Sequence, residues 1–72
     1  MIVTFAVFES PLDYPGEFVV REFVSVNGQV LANAKLHSRG ESLEEVRETI
    51  PAGKFRLPRH PRDVLSLVET WF

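Results

Sequence analysis

Two histidines and the side chains around them are where acid–base or metal chemistry would have to sit in this 72-residue chain. Nucleophilic catalysis needs a hydroxyl or thiol within reach of a base that a third group orients. Ser38, next to His37 and followed by Glu41, is the one cluster that holds all three types. Neighbouring residues of a strand point to opposite faces, however, so His37 and Ser38 do not meet if the chain is extended there. A metal site fares no better, because His37 and His60, in a chain with no Cys, match no common ligand spacing. The four glycines, at 16, 28, 40 and 53, stand singly at turns and form no phosphate-cradling loop. We therefore expect no enzymatic activity, no catalytic residue, no metal and no cofactor, with both histidines in loops or at strand ends.

Recognition is the chemistry that the charges suggest. Glu9, Asp13 and Glu17 lie in a stretch without a base, whereas Lys54, Arg56, Arg59, His60 and Arg62 follow one another without an acid. Alternation along a short strand places Lys54 and Arg56 on its solvent side, and the next turn adds Arg59 and Arg62. Such a cluster suits phosphates or an acidic protein surface. It better suits a solvated edge strand whose charges discourage edge-to-edge aggregation, balanced by Glu44, Glu45 and Glu48. No aromatic platform accompanies the bases and the net charge is −2, so a protein partner or self-association is favoured over nucleic acid, which is the alternative. A second candidate surface is the outward side of a hairpin, where Phe23 faces Leu31 and Arg21 faces Asn33. These are side chains that interfaces favour, and a homodimer or simple core packing explains them better than a foreign partner does.

The elements that must carry these residues follow from local pattern. Ile2 to Phe8 is apolar on both parities and fits a central strand. Ser10 to Gly16, with two prolines, an aspartate and a glycine, reads as an exposed loop. Phe18 to Ser25 and Gln29 to His37 flank Asn27-Gly28, a strong hairpin signal. A two-residue loop at Asn27-Gly28 would set Phe18, Val20 and Val24 against His37, Lys35 and Leu31, mixing the faces. A three-residue loop, Val26-Asn27-Gly28 with a bulge at Gly28, instead pairs Val24 with Val30, Val20 with Ala34 and Phe18 with Leu36, and is the expected register. Ala32 and Ala34 then leave room for a helix on that face.

Ser42-Leu43-Glu44-Glu45 reads as a capping box, with the Ser42 hydroxyl on the Glu45 amide and the Glu45 carboxylate reaching back to Ser42. Leu43, Val46 and Ile50 make one apolar stripe, Glu44, Glu45, Arg47 and Glu48 face water, and Pro51-Ala52-Gly53 ends the helix. Lys54 to Leu57 predicts a short edge strand closed by Pro58. Val64 to Phe72 fits either helix or strand, and its β-branched and aromatic residues favour strand. The expected fold is α+β: a small antiparallel sheet in β-β-β-α-β-β order with one short helix packed on one face, and residues 1–72 forming a single domain.

The residues Pro11-x-Asp13-Tyr14-Pro15, Phe18-Val19-Val20-Arg21, Ser42-Leu43-Glu44-Glu45-Val46-Arg47, Ile50-Pro51-x-Gly53, Leu57-Pro58-Arg59-x-Pro61-x-Asp63 and Val68-Glu69-x-Trp71 together make a pattern over nearly the whole chain. In it the chain resembles a group of small uncharacterised bacterial and phage-type proteins. The resemblance implies a stand-alone small domain of mobile-element origin with a strand at its C-terminal end, and carries over no activity or functional residue. Composition agrees with an ordered domain: 44% apolar residues with six Phe supply a core, and the absence of Cys points to a reducing, cytoplasmic setting. The apolar N-terminal run is too short for a membrane span and lacks a basic leader.

Overall fold

The central strand of the sheet is β1 (Ile2–Glu9), held antiparallel by β2 (Phe18–Val26) on one side and by the last strand on the other. The computed structural model describes residues 2–30 and 35–72. Along it follow β3 (Gln29–Val30), β4 (Lys35–Gly40), the helix α1 (Leu43–Glu48), β5 (Arg56–Pro58) and β6 (Leu67–Trp71). The sheet runs β3-β2-β1-β6-β5, and β4 also pairs with β2. The α+β fold with one short helix is thus the one that the sequence pattern predicts, and residues 64–72 do supply a strand.

The register of the hairpin differs from expectation. Val26 pairs with Gln29 and Ser25 with Val30, so the loop has two residues, and Val24 does not face Val30. Asn27 and Gly28 both have positive φ, 52° and 80°, as a type I′ turn requires, and its twist matches that of the flanking strands. The register set by this turn does not persist along the strand. By Glu22↔Lys35 it has moved two places, and a further shift between Val20 and Arg21 puts Val20 opposite Ser38 and Phe18 opposite Gly40, not Leu36. Leu31, Ala32, Asn33 and Ala34 lie outside the described residues, and with them the pairing of Phe23 with Leu31, whereas Arg21 pairs with Leu36 rather than Asn33 and Val20 with Ser38 rather than Ala34. Asn27→Val is therefore expected to cost about 1–2 kcal/mol in a denaturant titration, since a β-branched side chain resists the left-handed region. A cost near zero would return Asn27 to the right-handed conformation of the bulged loop.

Alternation assigns one face of the sheet to Val3, Phe5, Val7, Val20, Glu69 and Trp71, with Val7 opposite both Val20 and Glu69. Phe5, Val7, Val20 and the helix residue Val46 form the buried core, with Leu43, Ile50, Phe18, Val68 and Trp71 packed around it. A six-residue helix is unstable alone and holds by docking this stripe. Its first turn passes so close to β4 that a Cβ on Gly40 would lie 2.5 Å from Glu45 Oε2 and 3.3 Å from Glu45 Cβ. The Ser42 hydroxyl accepts from the Glu45 amide as expected, but the Glu45 carboxylate accepts from the amide of Glu41 rather than Ser42. At the other end the His37 ring donates from Nε2 to the Thr49 carbonyl at 2.8 Å, and Ser38 Oγ lies 2.8 Å from Thr49 Oγ1. The extra residue at the shift lets His37 share a face with Ser38, and its ring packs edge-on to Phe5.

Candidate functional site

The last strand carries the largest fully buried side chain among the described residues, and it is an acid. Glu69 has no solvent exposure and sits on the core face of β6, opposite Val7. Three neighbours saturate its carboxylate. Arg47 on α1 forms a two-pronged pair, Nε to Oε2 at 3.0 Å and Nη2 to Oε1 at 2.6 Å. Arg56 on β5 donates from Nε to Oε1 at 2.9 Å, and the Trp71 indole donates to Oε2 at 2.6 Å. Burial pushes the Glu69 carboxyl up, but the hydrogen bonds from Arg47, Arg56 and Trp71 and the charge of Arg47 outweigh it and hold it at about 2. The hydrogen bond to Glu69 in turn raises Arg47 above its ordinary value. Every lone-pair direction of a buried charge thus has a donor, the condition under which such a charge is tolerated.

This clasp corrects two expectations. Arg47 does not face water with Glu44 and Glu48, because a buried carboxylate within reach draws its guanidinium across the sheet. Nor do Lys54 and Arg56 lie on a free solvent side. Lys54 donates from Nζ to the Val3 carbonyl at 3.0 Å and stands over the Phe5 ring at 5.6 Å, while Arg56 reaches Glu69. The helix contacts β2 and β4, so over β5 and β6 these long basic side chains and Trp71 roof the core face instead. The five-residue basic cluster is thereby dispersed. Arg59 donates to the Val64 carbonyl, His60 Nδ1 accepts from the Arg62 amide, and the Asp63 carboxylate accepts from the His60 amide, which leaves His60 and Arg62 as exposed members of one tight turn. Among the sequence-predicted site residues, the structure brings together Lys54 and Arg56 on one face and Arg21 and Phe23 on the other.

That other face is where the apolar surface lies. Thr4 pairs with Phe23 and Ala6 with Arg21 and Thr70, so these residues point away from the helix. At the end near Val19 the face is closed. Arg21 forms an ion pair with Asp13 of the loop between β1 and β2, and Arg39 reaches Glu17 at 3.5 Å and lies 5.0 Å above the Tyr14 ring. There Val19 is fully buried and Ala6 nearly so.

At the opposite end the face is open. Phe55 and Phe72 exchange backbone hydrogen bonds of 2.7 and 3.0 Å, which extends the β5–β6 ladder by one pair and aligns both rings with Phe23 in a row across the sheet. Their centroids are 6.5 Å apart. Phe55 is 73% exposed, and Ile2, Leu57 and Phe72 are exposed on the same face. Among the described residues only the uncharged Thr4, Ser25 and Thr70 stand between them. Sequence pattern paired Phe55 with Leu57 correctly but did not reveal that they face away from the core, because the sheet's polarity at β5 is set by Glu69. One signal for that was present: Glu69 is the only charged residue in 64–72 and shares its strand parity with Trp71.

Among the described residues there is no group of three or more His, Cys, Asp or Glu arranged to hold a metal, and no helix long and apolar enough to cross a membrane. No protein-family model matches this chain, and neither the curated proteins nor the solved structures yield a match to it.

Proposed function

We propose that this chain is a non-enzymatic cytoplasmic binding module that works through protein contacts at the open face of its sheet. The observation that carries this reading is the uncharged patch on one face of the sheet, with Ile2, Phe55, Leu57 and Phe72 exposed and Phe23 half-buried beside Thr4. Patches of this kind mark interaction sites when they are contiguous and rimmed by polar residues, and aromatic side chains are enriched in interface cores. The groups best suited to chemistry support the same reading, since each serves the fold: Glu69 is saturated by Arg47, Arg56 and Trp71, and His37 is bound to Thr49. Dispersal of the basic segment removes the main support for the nucleic-acid alternative, because Lys54 and Arg56 are engaged within the domain.

A photoreactive phenylalanine analogue placed at Leu57 tests this in the cells that make the protein. Position 57 is expected to give protein adducts well above those from the same analogue at Leu12, which is fully exposed in the loop between β1 and β2. Equal trace labelling at both positions would remove the patch as a binding surface.

A further inference from the structure

We infer that the occupant of the open face is a second copy of this chain, docked sheet against sheet across a two-fold axis. This rests on the binding reading above and goes further by naming the partner. Four observations point to a copy of the chain itself.

The first is charge. The two arginines on this face are already paired within their own chain, Arg21 with Asp13 and Arg39 with Glu17. The open end holds no charged side chain among the described residues, so a matching surface must be equally uncharged and apolar. The patch is its own complement, and an isologous contact places like against like.

The second is shape. Two sheets pack face to face about 10 Å apart when their twists agree, at roughly 30° between strand directions. Two copies have the same twist by construction. The aromatic row of Phe23, Phe72 and Phe55 would then cross its symmetry mate near the axis, where the tilted pairing already seen between Phe55 and Phe72 can be repeated between chains.

The third is area. The exposed parts of Ile2, Phe55, Leu57 and Phe72 with the half-buried Phe23 offer on the order of 500 Å² per copy, so a pair buries up to about 1,000 Å², the threshold for a specific interface between proteins. A chain of 72 residues with a helix over only part of one face has a thin core, and small domains of this kind gain stability by association.

The fourth is the sheet's edge. β5 ends at Pro58, which offers no amide, and carries Arg56, so strand-to-strand extension at that edge is disfavoured. Association through the face is the route left open there.

The test is sedimentation equilibrium of the full chain from about 1 µM to 1 mM. The wild-type mass is expected to rise from 8.2 kDa to twice that value. Phe55→Asp, at an exposed position outside the buried core, is expected to weaken association at least 100-fold with an unchanged far-ultraviolet spectrum, whereas Leu12→Asp associates like wild type. A wild type that stays at 8.2 kDa throughout overturns the inference, as does a Phe55→Asp variant that dimerises normally. Should Phe55→Asp fail to fold, isotope-filtered NMR of mixed labelled and unlabelled wild type decides: contacts between chains among Phe23, Phe55 and Phe72 support the dimer and their absence refutes it. A foreign protein crosslinked at position 57 of a monomeric chain refutes the dimer but keeps the binding module. A monomer with no adduct refutes both.

Discussion

Arg47→Ala is expected to destabilise the domain by about 3 kcal/mol or more, the range found when one partner of a buried ion pair is removed. The carboxylate of Glu69 stays fully buried on β6 but loses two of its four donors, one of its two 2.6 Å bonds among them. Arg56 and Trp71 remain, and neither can take the place of the guanidinium that spans from α1. Against a total stability of roughly 4–11 kcal/mol for a chain of this length, the loss is large. Chemical denaturation followed by Trp71 fluorescence measures it. A companion variant separates charge from packing. Arg47→Met combined with Glu69→Leu removes both charges of the pair, the buried carboxylate and the partly exposed guanidinium, and keeps volume, so it should recover most of the lost stability. Arg62→Ala, in the exposed turn, should stay within about 0.5 kcal/mol of wild type. A cost below about 1 kcal/mol for Arg47→Ala would show that the clasp does not hold the helix to the last strand.

Acid sensitivity should follow from the same carboxylate. Glu69 is held at about 2 in the folded domain, below the ordinary 4.5 of an unfolded glutamate. With the folded value depressed, the unfolded chain binds the extra proton first, so the stabilisation is complete above pH 4.5 and is lost as the pH falls towards 2. Its size is on the order of 3 kcal/mol, because each tenfold strengthening of the carboxyl as an acid is worth about 1.4 kcal/mol. The Arg47→Met, Glu69→Leu variant lacks this group, and its stability should fall less steeply over that window. Parallel curves for the two proteins between pH 4.5 and 2 would mean that other carboxylates set the acid limit. Above pH 4.5 the clasp contributes no slope, so any pH dependence near neutrality has another origin.

Both expectations concern a feature invisible to local pattern. Read alone, Glu69 is one acid in an apolar run, and Arg47 is one of four polar residues on a helix whose apolar stripe is complete without it. Their pairing, twenty-two positions apart, needs the helix laid across the sheet and β6 beside β1. The same distance effect governs the basic segment. Alternation correctly separates Lys54 and Arg56 from Phe55 and Leu57, but which pair faces inward depends on what lies across the strand, and Glu69 reverses the usual order. The hairpin shows a subtler case. Asn27-Gly28 marks the turn from sequence, and backbone twist chooses the two-residue form. A uniform register does not hold, because a shift partway along β2 sets Val20 against Ser38 and Phe18 against the small Gly40, close to which the first turn of the helix passes.

Local chemistry was therefore enough for the strands, the Ser42 cap, the stripe of Leu43, Val46 and Ile50, and the α+β class, since each depends on residues within a few positions of one another. The exposed apolar face was decided by tertiary structure. Phe23 is legible in the sequence, but Phe55, Phe72, Ile2 and Leu57 join it only when four strands align their outward faces, and the face stays open because the helix and the clasp around Glu69 occupy the other. Burial of one carboxylate fixes which side of the edge strand turns to the core, and so leaves its phenylalanine and leucine outside.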